Sequence, residues 1–374
     1  MIASVLFLSG VTFLLYVLAG HPILLAVRAK LFAKPVRKAE EWKSVSVLLA
    51  VKNGEKYLRA KLETLLSLDY PRALVQILVI SDGSTDATNA IATEYASQGV
   101  QLISVPPGGK AMALNAGRRQ ATGDILFFTD VRQPLAPDSL RQLVACFADP
   151  TVGVASGELV ILDGKTHGEA SVGLYWNYEK WIRTRLSQID SVMGATGAIY
   201  AMRRELSVDL PAGTLLDDVY LPMAAFFRGY RIIFDGTAKA FDYPTALDAE
   251  FHRKVRTQAG VFQIIGAYPQ LLGPGNRMWL DFVSHKLGRL LLPHACLLIA
   301  VSTFWLPDSW CWFAIAAQVA FYGTAMLDGL MPEGFALKRV TSPIRTFVVL
   351  MAAAFCAGAI LYQPADHFWK TGKR

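Results

Sequence analysis

The sequence predicts an α/β domain, built on a mainly parallel sheet with helices on both faces, joined to a set of transmembrane α-helices. Three observations predict it. Apolar runs long enough to cross a bilayer stand near both ends of the chain. Between them, short apolar runs alternate with helical stretches in the rhythm strand, helix, strand. The 374 residues are also 53% hydrophobic with a mean hydropathy of +0.33, too apolar for a water-soluble domain of this length. The formal net charge of +7 suits an anionic membrane surface, nucleic acid or phosphorylated ligands alike, so charge alone does not choose among them.

Taken in order, Ile2 to Val27 reads as an uncleaved anchor, because no basic segment precedes it and Arg28, Lys30, Lys34, Arg37 and Lys38 follow at once. Positive charge marks the cytoplasmic side, so the N-terminus starts outside and the chain continues inside. Strands are expected at Val45 to Val51, Val75 to Ile80, Gln101 to Val105 and Ile125 to Thr129, with helices over Glu55 to Ser67, Thr85 to Ala96 and Lys110 to Ala121. Three further spans are expected at Leu287 to Leu306, Trp310 to Leu330 and Ile344 to Tyr362. They put Lys338, Arg339 and Arg345 inside and leave the Lys370, Lys373, Arg374 tail outside. The expected domains are an anchor with its basic segment over 1–39, a cytoplasmic α/β domain over 40–272, an interfacial segment over 273–286 and a C-terminal membrane domain over 287–374. Cys146, Cys296, Cys311 and Cys356 have no metal-binding spacing and read as small buried apolar residues.

Ligands of parallel sheets bind beyond the carboxyl ends of the strands. There the first strand runs into Lys52-Asn53-Gly54-Glu55, and the second into Asp82-Gly83-Ser84-Thr85-Asp86, with Ser84 or Thr85 read as a helix cap. Asp82 stands where it can accept hydrogen bonds from a base or ribose. Gly108-Gly109-Lys110 opens a helix carrying Asn115, an arrangement suited to an anion but equally to a solvated lysine. Asp130 leaves an apolar strand as either a turn-former or a ligand for a hard metal. Gly194 to Gly197 precedes another apolar run, and Asp217-Asp218 sets two carboxylates side by side. If they share a buried site, one has a raised pKa and suits a general base; the competing reading is a helix cap. Arg253 and Arg256 read as an interfacial basic face or a diphosphate clamp.

Together these residues resemble the family 2 glycosyltransferases of GT-A fold, in the membrane branch of the hyaluronan, chitin, cellulose and poly-N-acetylglucosamine synthases, over roughly residues 44 to 272. Val45 to Tyr57 is similar to the first strand and PxYNE-type turn, keeping Asn53 and Glu55; Lys110 to Gly117 is similar to the GKxxALNxG segment. The resemblance implies that Asp82 lies on the uracil and ribose side and that Asp130 is the remaining metal ligand of a DxD whose second acid is replaced by Arg132, which would contact phosphate directly or lower the metal's affinity. It makes Asp218, beside Asp217, the catalytic base, sets Gly197 at the acceptor end, and matches Arg253 to Thr257 to a QxxRW motif that keeps Arg256 but lacks the glutamine and tryptophan.

The implied reaction is an inverting transfer from a nucleotide-diphospho-sugar, with a leaning to UDP, assisted by Mg2+ or Mn2+. The implied acceptor is a lipid, lipid-linked or glycan hydroxyl at the cytoplasmic face of a bacterial inner membrane. A processive polysaccharide synthase is the alternative, weakened by the missing tryptophan. A non-catalytic nucleotide-binding membrane subunit is the rival outside the enzymes, and the oligomeric state is left open. A nucleic-acid partner is not expected, because the cations cluster beside the spans and the phosphate candidates.

Overall fold

The computed structural model describes residues 2–162, 167–243, 247–332 and 335–370. They form two compact units. One comprises Leu31–Leu162 with Arg183–Asp242; the other comprises Met1–Lys30, Asp163–Ile182 and Tyr243–Arg374.

The first unit is built on a seven-stranded sheet of order β3-β2-β1-β4-β6-β5-β7. Its strands are β1 (Val45–Val51), β2 (Val75–Asp82), β3 (Val100–Val105), β4 (Ile125–Thr129), β5 (Val152–Ile161), β6 (Ile199–Arg203) and β7 (Arg231–Asp242). Pairings β1/β2, β2/β3, β1/β4 and β5/β7 are parallel. β6 runs antiparallel to both β4 and β5. Every residue of β4 is buried, as expected of a strand covered on both faces. The helix Glu55–Leu66 places Leu58, Leu62 and Leu65 at helical spacing in one apolar cluster with Val47, Leu49 and Val51. Backbone approaches are close at the strand entrances: a Cβ on Gly123 would stand 2.5 Å from the Ser46 amide nitrogen, so only glycine lets the chain enter β4 there.

Strands β1 and β4 begin and end where the apolar runs predicted, and β2 continues two residues further, through Asp82. The unit ends at Asp242 rather than at 272. The reason is the helix Leu247–Ala267, whose buried Ala259, Val261 and Ile264 pack it with the apolar helices of the second unit.

Among the described residues of that second unit, four helices are long and apolar enough to cross a membrane: Ile2–Leu31, Trp279–Thr303, Asp308–Asp328 and Lys338–Leu361. The second and fourth begin several residues before their apolar runs, because polar first turns extend the same helices. Ile2–Leu31 packs on Trp279–Thr303, with Gly10 so close that a Cβ would lie 2.8 Å from Ile299 Cγ1. Each of these two helices contains a π-helical turn, at Tyr16–Gly20 and at Phe282–Leu287, and the Tyr16 and Ser284 hydroxyls meet there at 2.7 Å. Beside the turns, His21 Nε2 and Arg28 Nη1 lie 3.2 and 2.7 Å from Oδ1 of the fully buried Asp281. Asp328 is similarly enclosed, its Oδ1 accepting from the hydroxyls of Thr341 (2.5 Å) and Ser342 (2.9 Å). Large apolar side chains such as Leu8, Phe304, Trp312, Val319 and Met326 face outward instead. Charge inside and hydrocarbon outside is the arrangement a bilayer demands. Of the tail, Lys373 and Arg374 lie outside the described residues.

Candidate active site

The site lies in the sheet unit, beyond the carboxyl ends of β1, β2 and β4. The loops after β1 and β2 are tied to each other. Asn53, held at a positive φ of 50°, accepts from the Thr85 amide through Oδ1 at 2.8 Å and donates its own amide to Ser84 Oγ at 3.1 Å. Glu55 Oε2 accepts from the Ala87 amide, while the Glu55 amide donates to Asp86 Oδ2, both at 3.0 Å. Asn53 and Glu55, expected at the substrate, thus act on the loops that frame it. The helix after this loop starts at Thr88 with Ala87 at its N-cap, so neither Ser84 nor Thr85 caps it; Asp86 Oδ1 accepts from the Thr88 amide at 3.0 Å.

Asp82 is buried at the end of β2. Its Oδ1 accepts from the amides of Gly108 at 2.7 Å and Gly109 at 3.0 Å, and Lys52 Nζ stands 3.6 Å from its Oδ2. The carboxylate therefore shapes the turn that launches the helix Lys110–Gln120. That turn aims Lys110 at the centre of the site. Its ammonium donates to Asp130 Oδ1 at 2.9 Å and lies 3.2 Å from Asp217 Oδ1. Burial opposes the charge on Lys110, but Asp130, Asp217 and Asp218 outweigh it and hold the lysine well above its ordinary pKa.

Asp217 and Asp218 open the helix Asp217–Phe227. Asn115 positions the chain that leads to them, because its side-chain amide donates to the Leu210 carbonyl and accepts from the Leu210 amide, each at 2.9 Å. Burial, and then the neighbouring Asp217, push the Asp218 carboxyl up to about 6 against the pull of Lys110. Gly197 stands directly against it: a Cβ there would lie 3.0 Å from Asp218 Oδ2.

Arg132 turns elsewhere. Its Nη2 pairs with Asp242 Oδ2 at 2.5 Å, and Gln133 donates to the same oxygen at 2.9 Å, so a sheet carboxylate takes the place of the expected phosphate. Arg253 and Arg256 belong to the helix Leu247–Ala267 of the other unit, where Arg253 pairs with Glu250 and lies over the Trp176 ring.

Two further charged groups escaped the sequence reading. Lys61 is buried behind Asp130, donating to Thr129 Oγ1 at 2.7 Å and to the Gln133 carbonyl at 2.6 Å. Burial lowers it to about 7 although Asp130 supports its charge. Its signal was present, since a lysine on the stripe of Leu58, Leu62 and Leu65 breaks an apolar face. Arg183 donates to Ser156 Oγ at 2.9 Å, lies over the Phe234 ring and pulls the Asp218 carboxyl down. Nothing in its sequence neighbourhood distinguishes it.

Among the described residues no group of three or more His, Cys, Asp and Glu side chains is arranged to hold a metal ion. Asp130, more than a third exposed at the strand end, retains a free side for a divalent cation. The residues present therefore fit an ion held by one protein carboxylate, with phosphate oxygens and water completing its shell.

A mainly parallel sheet with this acid–lysine cluster at its strand ends is what the expected GT-A fold calls for. Residues 46–210 match the family model described as "Glycosyl transferase family 2". Among its relatives, the β-monoglucosyldiacylglycerol synthase of Synechocystis is 26% identical over 282 residues, covering 70% of this chain and 57% of that protein. An N-acetylglucosaminyltransferase of Mesorhizobium japonicum is 26% identical over 276 residues, covering 68% of this chain and 64% of its own. The chain thus spans between about half and two thirds of the length of the curated relatives it matches. The solved mannosyltransferase PcManGT of Pyrobaculum calidifontis, in complex with GDP-Man and Mn2+, shares the fold with a TM-score of 0.74 at 23% identity, over 96% of this chain and 99% of that one.

Proposed function

We propose that this chain moves a sugar from a nucleotide-diphospho-sugar, by preference a UDP-sugar, to a lipid or lipid-linked hydroxyl at the cytoplasmic face of a bacterial inner membrane, with inversion. The observation that carries it is the half-buried Asp218, raised to about 6, beside a lysine shared with Asp130 and Asp217. A carboxylate of that basicity is matched to taking a proton near neutral pH. Asp218 removes the acceptor's hydroxyl proton as that oxygen bonds to the anomeric carbon. The bond from that carbon to the diphosphate oxygen breaks, and the electron pair leaves with the nucleoside diphosphate. Lys110 sets fixed positive charge beside the departing phosphates. Asp130 would hold Mg2+ or Mn2+, which when bound supplies charge neutralisation to the diphosphate. Asp217 keeps Lys110 charged and raises Asp218.

The lipid acceptor is supported by the four apolar helices and by the diacylglycerol in the name of the Synechocystis relative. A glycan acceptor is the second reading, supported by the N-acetylglucosaminyltransferase relatives. The test is a panel of nucleotide-sugars supplied to membrane extract, with products read by mass spectrometry. Asp218→Asn should lower transfer by about 10²- to 10⁴-fold, the usual worth of a general base. Unchanged turnover in that variant would exclude the mechanism, and a product of many sugars would exclude the single-transfer lipid reading.

A further inference from the structure

The helical unit contains a cavity of about 330 Å³. Its lining includes Tyr175, Tyr178, Lys254 and Arg289, together with apolar side chains such as Leu292, Phe347 and Leu350. Tyr175 organises the polar end. Lys254 Nζ lies 4.2 Å from the centre of its ring, and Arg289 Nη2 donates to its hydroxyl. Arg289 also pairs with Glu179 at 2.5 Å, and Lys254 stands 3.6 Å from Glu250, which is itself bonded by Arg253. Arg253, Lys254 and Arg289 thus face the two carboxylates Glu179 and Glu250. One positive charge remains in excess within this group, and both cavity-lining cations are mostly buried. Thr346, also in the lining, has a buried hydroxyl without a hydrogen-bond partner among the described residues.

Buried cations with surplus charge require an anion, and a buried hydroxyl requires a polar partner. The adjoining apolar wall requires hydrocarbon. One molecule that answers all three is a lipid carrying a phosphate. We propose that this cavity binds an anionic phospholipid, with its phosphate on Lys254 and Arg289 and its acyl chain along Leu292, Phe347 and Leu350. The assignment rests on reading these helices as membrane-embedded and is independent of the transfer reaction, since the lipid need not be the acceptor.

The test uses the full chain purified in a neutral detergent and native mass spectrometry with phosphatidylglycerol, phosphatidylcholine, diacylglycerol or inorganic phosphate. Phosphatidylglycerol should be retained at least tenfold more tightly than phosphatidylcholine or diacylglycerol, and inorganic phosphate at equal concentration should not displace it. Lys254→Gln should abolish the preference. Should that variant fold poorly, Leu350→Trp, which fills the apolar part, should weaken phosphatidylglycerol retention and leave the melting temperature within a few degrees. Equal retention of the lipids, or displacement by inorganic phosphate alone, would overturn the assignment. Because nucleotide-sugar hydrolysis is read separately on the same samples, equal retention of the lipids by the unsubstituted chain with hydrolysis intact rejects this site without touching the proposed reaction.

Discussion

Lys110 and Asp218 depend on each other, which makes them separable by pH. Asp218 acts as a base only when ionised, so kcat/KM should rise with pH through a limb near 6 and level off above it. Lys110 pulls that carboxyl down, so in Lys110→Gln the residual activity should show the limb displaced to higher pH, beyond the loss of rate itself. A limb that stays in place would disconnect the two residues. Lys61 makes a stability prediction of the opposite kind. Its pKa falls from 10.5 to about 7 on folding, so between those values the unfolded chain binds the extra proton. Stability contributed by this group is therefore gained as pH rises across that window and lost as pH falls through about 7. Melting temperatures from pH 7 to 9 should climb more steeply in the native protein than in Lys61→Met, and equal slopes would show that the lysine stays charged.

Loops and helices carry the site more than the sheet does, and they differ in how far the sequence discloses them. Asp82, Asp130, Lys110 and Asp217-Asp218 were legible because each stands at the edge of an apolar run, where a polar side chain marks the end of an element. What each carboxylate touches was not legible. Asp82 binds the Gly108-Gly109 turn and Arg132 binds Asp242, pairings between residues 26 and 110 positions apart that no local pattern encodes. Asn115 is the clearest case, a residue inside a motif whose partner is the backbone of Leu210. Removing its amide strands two buried backbone groups, at about 1–3 kcal/mol each. Asn115→Ala should lower the denaturation midpoint and cut turnover together, because Leu210 leads to Asp217. Asn115→Asp should restore at most one of the two bonds. Normal stability with lost turnover would instead place Asn115 at the substrate.

At the scale of the whole chain, the alternation of runs was sufficient to read a mainly parallel sheet and four apolar helices. It did not disclose that β6 runs antiparallel, because strand direction is a matter of tertiary pairing, and periodicity carries no information about that. Nor did it disclose that Leu247–Ala267 joins the apolar helices. Within those helices Asp281 is the principal buried acid, held by His21 and Arg28. Asp281→Ala should destabilise the detergent-solubilised protein by about 3–5 kcal/mol, the usual cost of leaving a buried cation without its partner, read as a large drop in melting temperature. A small drop would mean that water reaches Arg28. The π turn at Tyr16–Gly20 sets how this trio meets. It absorbs one residue more than an ordinary helical turn, so excising one of those five would return the stretch to regular α-helix with the downstream facing kept, whereas excising a residue between His21 and Arg28, where the helix is regular, would swing Arg28 by about 100° around the helix axis. Arg28 would then point away from Asp281 while His21 stayed in place, and a deletion there would be far more damaging than one inside the π turn.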